Sequence, residues 1–371
     1  MFQFFRYFCF LFISILVLSR LSSPARLIPQ PNSITVITTN ITRNSTNSAR
    51  NTTWNDFIRF LDAGKGTQVT GMSELKKYFS RFGYLNPIPT KTNFTDIFDN
   101  EFESALINYQ NNLGLPVTGN LDSDTISSIM SPRCGVSDEL HSTKIHLTKH
   151  YSYFYGKPRW VKGSPMTLTY AFSPENMIDY INPDDIRIVF NRAFSRWAKV
   201  IPVSFREVDD YESADVKIGW FRHDHGDGEA FDGVLGVLAH AFSPENGRFH
   251  LDEAETWAVD FDKVKSKVAV DLESVATHEI GHVLGLAHSS VREAVMYPSL
   301  SPRSKKVELR IDDVEGVQAL YGSNPNFKFS SLLEAENSSN LGTCLKSRTS
   351  KWTVCFLMAA LVWFLGSLSH F

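Results

Sequence analysis

The spacing of hydrophobic residues changes part-way along the chain, and this change divides its folded part into two regions. In residues 54–131, apolar side chains such as Phe98, Phe102 and Leu106 recur every three or four positions, and this period predicts amphipathic helices. The last helical segment begins at Asp122, whose short acidic side chain is of the type that caps helix N-termini. The pattern predicts a small three-helix domain in this part of the chain.

After residue 150 the pattern indicates strands as well as helices. Residues 167–172 and 214–220 alternate apolar and polar side chains, as half-buried strands do. Between them, Asn182 caps a predicted helix that has Pro183 at its first position and apolar residues along one face. After a predicted loop region rich in glycine and histidine, residues 223–252, further helices are predicted over residues 272–286 and 312–321.

The two ends of the chain carry apolar segments that predict targeting signals. Residues 1–25 contain an arginine, an apolar run and then small residues, which is the order of a secretory signal peptide. Residues 352–371 are almost wholly apolar, and we expect a glycolipid anchor signal with attachment at Asn337 or Ser338. Residues 338–371 would then be removed, and residues 323–337 would tether the chain to the outer face of the cell membrane. A retained single membrane span is the alternative.

Composition and charge restrict the class of protein. The chain has 371 residues, of which 43% are hydrophobic and 21% charged, enough for one large and one smaller domain. A formal net charge of −3 and a pI near 6.4 exclude nucleic acid as the main partner. Residues 26–53 are rich in serine, threonine and asparagine and predict a disordered lead-in. Glycosylation triplets occur at Asn40, Asn44, Asn51, Asn93 and Asn337.

The four cysteines are not expected to form a disulfide framework. Cys9 belongs to the predicted signal peptide, and Cys344 and Cys355 belong to the predicted anchor signal. Cys134 is therefore expected as a lone thiol in an oxidising compartment. A lone thiol in that setting needs a chemical reason.

One short segment has the spacing of a metal site. In His278-Glu279-Ile280-Gly281-His282, two imidazoles lie one helical turn apart on the same face, as two ligands of one tetrahedral ion require. Gly285 is expected to end the helix, because glycine adopts the left-handed conformation that turns the chain back. His288 then reaches the same metal ion as a third ligand.

Three imidazoles leave the fourth position of a tetrahedral zinc ion open. Zinc lowers the pKa of a water molecule bound there from about 15.7 to about 7. Glu279 follows the first ligand and is expected to act as general base, taking a proton from the water and passing it to the leaving amine. The sequence therefore predicts hydrolysis with Glu279 as the catalytic residue.

The complete motif is longer and carries a family resemblance. Residues 278–288, followed by Met296-Tyr297-Pro298, match the metzincin signature with its Met-turn, in which Met296 is expected to pack beneath the metal site. Over residues 75–321 the chain resembles a matrixin, that is a matrix metalloproteinase, of the short type found in plants.

The resemblance implies a domain plan. It implies an α/β (α+β) zincin-type catalytic domain over residues 151–322, with a twisted, mostly parallel sheet and three helices. Before it, residues 54–131 are expected to form a three-helix prodomain of the peptidoglycan-binding type. No propeller domain is expected after Gly322.

Residues 132–138, Pro-Arg-Cys-Gly-Val-Ser-Asp, resemble the cysteine-switch motif of the matrixins. The resemblance implies that Cys134 binds the catalytic zinc as thiolate, displaces the water and keeps the precursor inactive, with Arg133 paired to Asp138. This gives the lone thiol a role; an ordinary buried cysteine is the alternative. Residues 26–150 are then a propeptide, and its removal is expected near Tyr151, whose surroundings resemble the start of mature matrixins.

The resemblance also assigns a second, structural zinc ion. A site of three imidazoles and one carboxylate leaves no open position, which suits a structural role. The spacing alone equally allows surface residues, and His223 is a competing histidine in the same segment. The assigned ligands are His225, Asp227, His240 and His250.

Calcium ligands are assigned by the resemblance as well, and oxygen ligands suit this ion. They are the side chains of Asp232, Asp252 and Glu255 and the backbone oxygens of Gly233, Leu235 and Val237. Solvated loop acids are the alternative. Asp215 matches a ligand of a second calcium ion, but residues 240–250 form a shorter stretch than in many animal members, which puts that site in doubt.

Other residues are expected to shape a peptide-binding cleft. Residues 236–241 are predicted to form its upper rim and to bind a polypeptide substrate as an added strand. Val275 and residues 298–307 are expected to form the pocket for the side chain after the cut, whereas Leu284 and Leu286 are expected in the core. By resemblance, Asp312 or Asp313 holds the new N-terminal ammonium after activation.

The resulting prediction is a monomeric, secreted precursor of a zinc-dependent endopeptidase that cleaves extracellular or cell-surface proteins. One alternative is a catalytically silent, zinc-stabilised binding protein at the cell surface, which would have no need of Glu279. Another is a bacterial-wall hydrolase, because residues 109–119 resemble a peptidoglycan-binding module. The place of those residues in a predicted propeptide argues against it.

Overall fold

The structure is a computed structural model that describes residues 54–86, 93–138 and 150–330. The predicted signal peptide, the anchor site at Asn337 or Ser338 and the glycosylation triplets at Asn40, Asn44 and Asn51 lie outside these residues, and Asn93 is exposed. Among the helices in the described ranges, none is long and apolar enough to cross a membrane.

The first region is helical, as its hydrophobic spacing predicts. Asp99 and Asp122 cap two of its helices, because each carboxylate accepts a backbone N–H bond of 2.9 Å from the first helical turn. The predicted helix start at Asp122 is therefore confirmed. The elements are a 3₁₀ helix, Trp54–Phe60, followed by α1 (Met72–Arg81), α2 (Asn100–Asn112) and α3 (Ser123–Ile129).

Aromatic rings fill the core of this helical region. Phe79 on α1 meets Phe102 on α2 edge to face, with ring centroids 4.9 Å apart, and it also lies 5.2 Å from the ring of Tyr109. Edge-to-face pairs add to the free energy of burying apolar area. The three- and four-residue recurrence in the sequence thus marks the faces that join these helices.

The second region is built on a five-stranded sheet with the strand order β2-β1-β3-β5-β4. All neighbouring strands are parallel except β4, which runs antiparallel to β5 at one edge. This confirms the expected mostly parallel sheet. The strands are β1 (Met166–Phe172), β2 (Val203–Glu207), β3 (Val216–Phe221), β4 (Ala239–Ala241) and β5 (Arg248–Asp252), and a separate pair comprises β6 (Trp257–Ala258) and β7 (Val270–Asp271).

Three helices accompany the sheet, as expected: α4 (Pro183–Val200), α5 (Leu272–Val283) and α6 (Ile311–Tyr321). Helix α4 packs against both the sheet and α5. Its Phe194 stacks on Tyr170 of β1 with centroids 4.3 Å apart, and its Trp197 donates an indole N–H bond of 2.9 Å to the carbonyl of Thr277 on α5.

Helix α5 ends at Val283, three residues before the predicted end. The reason is Gly285, which has a φ of +102° and lies so close to the chain that an added Cβ would be 2.2 Å from the carbonyl oxygen of Pro158. Both the left-handed conformation and the close approach require glycine. Leu284 and Leu286 on either side are buried in the core, as predicted.

Strands β2 and β5 were not predicted from the sequence. The five residues of β5 alternate polar and apolar side chains, but the structure buries those from Phe249 to Asp252 on both faces of the sheet. His250 and Asp252 within it are polar residues placed in the interior by the sites described below. The predicted loop over residues 223–252 is therefore wrong for this stretch.

A buried carboxylate at the start of α5 joins several elements. Glu273 is almost fully buried and forms ion pairs with Arg192 and Arg196 of α4, at 2.9 and 2.6 Å, and with Lys305 at 2.9 Å. Burial alone raises its pKa, but the bonds from Arg192 and Lys305 and the charge of Arg196 lower the pKa of Glu273 to about 2. Its charge therefore stabilises the folded chain.

Replacing Glu273 with glutamine is expected to lower the free energy of unfolding by about 2–3 kcal/mol at pH 7, because Arg192, Arg196 and Lys305 then lose the buried negative charge that they share. The folded pKa lies below the ordinary value of 4.5. The stabilisation is therefore present above about pH 4.5 and is lost as the pH falls towards 2. Urea unfolding at pH 7 and at pH 3 measures both effects.

Glu308 provides the matched control for this measurement. It pairs with the same Arg196 at 3.6 Å, but its side chain is 79% exposed, so Glu308→Gln should change stability by less than about 1 kcal/mol. An equal loss in both variants would contradict the assignment of the stabilisation to the buried carboxylate.

Candidate metal centre

Three histidines meet at the end of α5. His278 and His282 lie on successive turns of the helix, and their Nε2 atoms are 3.1 Å apart. The turn at Gly285 then returns the chain, so that Nε2 of His288 lies 3.2 Å from Nε2 of His282. All three side chains are buried.

The other nitrogen of each ring fixes its tautomer. Nδ1 of His278 donates to the carbonyl of Val295 at 2.7 Å, and Nδ1 of His282 donates to the carbonyl of Leu286 at 2.8 Å. Since a carbonyl only accepts, the two Nε2 atoms carry lone pairs. Burial lowers the pKa of both rings well below 6.5, so they are neutral. Neutral nitrogens with hydrogen-bonded outer atoms are the ligands that zinc takes in proteins.

Cys134 completes this cluster. Its Sγ lies 3.4 Å from Nε2 of His282, and the sulfur and the three imidazole nitrogens all lie within 4.8 Å of one another. Burial and the nearby charge of Glu279 raise the pKa of the thiol, whereas a coordinating zinc ion deprotonates a thiol outright. The donor set of three nitrogens and one sulfur fits zinc.

The switch segment, residues 132–138, lies in a groove and pairs with both of its rims. The backbone N–H of Arg133 donates to the carbonyl of Gly236 at 3.1 Å, and the carbonyl of Arg133 accepts from the backbone N–H of Leu238 at 2.9 Å. On the other side, the backbone N–H of Cys134 donates to the carbonyl of Pro298 at 2.9 Å. The segment runs parallel to the first rim and antiparallel to the second, and it fills the groove as an added strand does.

The predicted pairing of Arg133 with Asp138 is confirmed. Nη2 of Arg133 lies 2.6 Å from Oδ1 of Asp138, and both side chains are almost fully buried. The guanidinium also lies over the ring of Phe82, 3.7 Å from its centroid. Although burial acts in the opposite direction, the charge of Arg133 and a bond from His288 hold the pKa of Asp138 well below its usual range.

Glu279 is a buried carboxylate without a conventional partner. Its side chain is 1% exposed, and among the described residues neither oxygen has a hydrogen-bond partner. Burial raises its pKa to about 8, with Cys134 opposing the shift. An unpaired carboxylate is costly to bury, and a perturbed acid beside a metal cluster is typical of a catalytic group.

Met296 supports the cluster from below. An added Cβ at Gly281 would lie 2.2 Å from the sulfur of Met296, so the thioether packs directly on α5 between the two histidine ligands. The carboxylate of Asp313 holds this turn, accepting the backbone N–H groups of Val295 and Met296 at 2.9 and 3.0 Å. Burial raises the pKa of Asp313 to about 6.

A second cluster forms around the carboxylate of Asp227. Its Oδ2 lies 2.8 Å from Nε2 of His225, 2.7 Å from Nε2 of His240 and 2.8 Å from Nδ1 of His250. Burial lowers the pKa of His240 and His250 to about 4, so both rings are neutral. His223 offers only its backbone carbonyl, which accepts from Nδ1 of His225 at 3.0 Å. Three imidazoles and one carboxylate fit a closed zinc site.

Three acidic residues surround the loop of residues 232–237. Each acid accepts a hydrogen bond from a backbone N–H of the loop. The donors are Val237 for Asp232 at 2.7 Å, Gly233 for Asp252 at 3.1 Å and Leu235 for Glu255 at 2.6 Å. Burial raises the pKa of all three, that of Glu255 to about 8. One buried oxygen of Glu255 has no partner among the described residues, and oxygen ligands with excess negative charge fit calcium.

The predicted calcium residues do not converge as the zinc clusters do. In residues 54–86, 93–138 and 150–330, two clusters bring three or more ligand atoms within 4.8 Å, and both contain histidine. Asp215, matched to a second calcium ion, faces the ammonium of Lys162 and accepts bonds from Thr169. Lys162 thus supplies positive charge at the place where a second calcium ion was predicted.

Comparison with known proteins agrees with this geometry. Residues 159–322 match the family described as Matrixin, and residues 68–129 match a peptidoglycan binding domain family. The chain is 57% identical to Metalloendoproteinase 1-MMP of Arabidopsis thaliana over 297 residues, covering 79% of this chain and 80% of the relative. The chain belongs to the matrixin family.

Further relatives agree with this membership. This matrixin is 62% identical to Metalloendoproteinase 4-MMP of Arabidopsis thaliana over 270 residues, covering 72% of this chain and 77% of the relative. It is 37% identical to Matrilysin of Homo sapiens over 269 residues, covering 70% of this chain and 90% of the relative. It is a zinc metalloendopeptidase that acts on polypeptides, and the metals of its family are zinc and calcium.

A small cavity lies beside the metal cluster of this matrixin. Its lining includes His278 and Glu279 of the cluster's helix, together with Val275, Pro298, Leu300 and Lys306. Val275 and residues of the segment 298–307, which the sequence predicts to form a side-chain pocket, thus line this cavity. Burial lowers the pKa of Lys306 to about 8, and its ammonium donates to the carbonyl of Arg292 at 3.0 Å.

Lys306 falls within residues 298–307, the segment that the sequence predicts to form the pocket. Sequence reasoning missed one contact of this matrixin's metal centre. It placed Asp138 beside Arg133 but not beside His288, whose Nδ1 lies 2.6 Å from Oδ1 of Asp138. These two residues are 150 positions apart, and no sequence signal joins them.

Proposed function

We propose that this matrixin is a secreted, latent precursor in which Cys134 blocks the catalytic metal. One observation carries the proposal: the Cys134 sulfur faces three inward-pointing imidazole nitrogens while its own backbone pairs with both rims of the groove. A sulfur in the fourth position denies that position to water, and the paired segment denies the groove to a substrate.

In this proposal His278, His282 and His288 hold the catalytic zinc, and Cys134 is the fourth ligand of the latent form. Zinc, when bound, supplies a Lewis acid and acidifies water. Glu279 accepts the proton of the attacking water at a carboxylate oxygen and donates it to the nitrogen of the leaving peptide. Residues 236–241 bind the substrate backbone after the switch segment has left.

The remaining metal assignments are structural. We assign the second zinc to His225, Asp227, His240 and His250, because the three imidazoles surround one carboxylate oxygen. We assign calcium to the loop of residues 232–237. The charge of the bound ion would balance the three buried carboxylates, whose pKa values burial raises. Its ligands are Asp232, Asp252 and Glu255 with the backbone oxygens of Gly233, Leu235 and Val237.

Replacing Asp227 with alanine is expected to reduce the zinc content of the purified chain from two ions to one. The substitution removes the oxygen that contacts all three imidazoles of the second cluster. Because a bound metal stabilises the folded state, by about 4 kcal/mol at a thousandfold excess over Kd, the melting temperature should also fall. Elemental analysis and calorimetry measure the two effects.

Asp224→Ala is the matched control, since this exposed neighbour in the same loop accepts from the backbone N–H of Gly226 at 3.1 Å and is not among the residues of the zinc cluster. We expect it to keep both zinc ions and the parent melting temperature. Two zinc ions in the Asp227 variant would contradict the assignment.

Activation is proposed to cut the chain near Tyr151, and the structure of this segment supports a role for Asp312. The carboxylate of Asp313 is already occupied by backbone N–H groups, including that of Arg310 at 2.8 Å. Burial raises the pKa of Asp312, which accepts a bond of 2.7 Å from the hydroxyl of Ser289 and a further bond from the backbone N–H of Tyr151. Of the two aspartates, Asp312 is therefore the one proposed to hold the new ammonium.

The location proposed for the mature enzyme is the outer face of the cell membrane, with extracellular or cell-surface proteins as substrates. The apolar N-terminal run and the apolar C-terminal segment after Asn337 support it. Cleavage of casein by the activated chain tests the enzymatic part: a zinc chelator should abolish the cleavage and added zinc should restore it. Absence of cleavage would favour a silent binding protein instead.

A further inference from the structure

Asp138 contacts the catalytic cluster as well as its known partner. Its Oδ1 lies 2.6 Å from Nη2 of Arg133 and 2.6 Å from Nδ1 of His288. Its Oδ2 accepts a bond of 2.9 Å from the hydroxyl of Tyr84. The side chain is 3% exposed, so these contacts lie inside the protein rather than in solvent.

The three zinc-facing imidazoles differ in the source of their outer hydrogen bond. His278 and His282 donate to the backbone carbonyls of Val295 and Leu286, which belong to the same α/β region. His288 donates instead to a carboxylate of the switch segment. Removal of the predicted propeptide therefore takes away the acceptor of one ligand and leaves those of the other two in place.

We propose that Asp138 is a positioning residue for the zinc ligand His288, so that the latent chain retains its catalytic zinc more tightly than a chain without this carboxylate. The proposal rests on the zinc site assigned above. The switch segment then contributes two groups to the metal: the sulfur of Cys134 directly, and the carboxylate of Asp138 through the imidazole of His288.

The physical reason lies in the hydrogen bond to the outer nitrogen. A carboxylate that accepts from Nδ1–H fixes the tautomer and the orientation of the ring and makes Nε2 a stronger donor to the metal. Loss of such an outer partner typically weakens metal affinity by roughly 10- to 100-fold. Arg133 supports this arrangement, because its Nη2 lies 2.6 Å from the same oxygen of Asp138 and holds the carboxylate in place.

The test compares full-length chains that carry Glu279→Gln, which prevents self-cleavage. Asp138→Asn removes the charge from the acceptor while preserving its shape, and Tyr84→Phe is the matched control because it removes a bond to Oδ2 and leaves both contacts of Oδ1 in place. Each protein is loaded with zinc, and the transfer of zinc to a chromogenic chelator is followed over time. The zinc ion assigned to the Asp227 cluster serves as the internal reference.

We expect the catalytic zinc to leave the Asp138→Asn chain roughly 10- to 100-fold faster, with Tyr84→Phe close to the parent. Cobalt(II) replaces zinc in a parallel experiment, since its thiolate charge-transfer band reports the bond from Cys134. The band should persist in Asp138→Asn. Unchanged zinc release would overturn the proposal, and so would loss of the band, because Asp138 would then act only by holding the switch closed.

If Asp138→Asn does not fold, a second measurement tests the proposal on a chain in which Asp138 and the three histidines are unchanged. In the zinc-loaded Glu279→Gln chain labelled with ¹⁵N-histidine, Nδ1–H of His288 should be detectable and should be lost by solvent exchange after an external protease removes the propeptide. The Nδ1–H signals of His278 and His282 should persist. Persistence of all three signals would overturn the proposal, whereas a parent chain that binds no zinc would refute the zinc site itself.

Discussion

Replacing Glu279 with glutamine is expected to lower kcat/KM of the activated enzyme for a peptide substrate by about 10²- to 10⁴-fold, the usual contribution of a positioned general base. Glutamine has nearly the same shape but accepts no proton at neutral pH. The zinc content should stay unchanged, because Glu279 is not among the residues that form the metal cluster. Peptide cleavage and elemental analysis on the same sample measure both quantities.

Glu293→Gln is the control for this prediction. Glu293 is exposed and lies in the segment before the Met-turn, so its loss of charge should leave kcat/KM within about twofold of the parent, as exposed substitutions change little. Equal cleavage by Glu279→Gln and the parent would refute the assigned base. Loss of zinc from Glu279→Gln would instead show that the residue supports the metal site.

Replacing Cys134 with alanine is expected to end latency, so that the full-length chain cleaves peptide without prior activation. The switch segment keeps its backbone bonds to the groove, but it loses its link to the metal. Each 1.4 kcal/mol of lost docking free energy raises the open fraction about tenfold, and loss of a metal–thiolate bond should raise activity on the order of 100-fold. A quenched peptide assay on the uncleaved chain measures it.

The double variant Cys134→Ala, Glu279→Gln distinguishes cleavage of the chain by itself from cleavage by a contaminating protease. The single variant should shorten itself near Tyr151, because its active site is open, whereas the double variant should remain full length. Continued latency of Cys134→Ala would mean that the backbone bonds of residues 132–138 alone keep the groove closed. That result would contradict the role assigned to the sulfur.

The catalytic cluster was predictable because its ligands are close together in sequence. Helix geometry alone places His278 and His282 on one face, and a glycine at position 285 marks the turn that returns His288. The φ of +102° at Gly285 and its close contact with Pro158 explain why that position requires glycine. The mostly parallel sheet, in contrast, was expected from the family resemblance and then confirmed.

Contacts between distant segments were not predictable from the sequence. Glu273 meets Arg192 and Lys305, and Asp138 meets His288, only because the fold brings these segments together. Strand β5 was missed although its residues alternate polar and apolar side chains, because the pattern covers only five residues and lies in a segment rich in glycine and histidine. Local periodicity reveals an element, whereas tertiary structure determines which polar residues that element buries.

Zinc K-edge X-ray absorption of the full-length latent chain tests the central claim most directly. Asp227→Ala is included so that the signal comes from the catalytic zinc alone. We predict three nitrogen neighbours at about 2.0–2.1 Å and one sulfur neighbour at about 2.3 Å, with the sulfur lost in a further Cys134→Ala variant. A zinc ion without sulfur in its first shell, or a chain that holds no zinc in this state, would contradict the account.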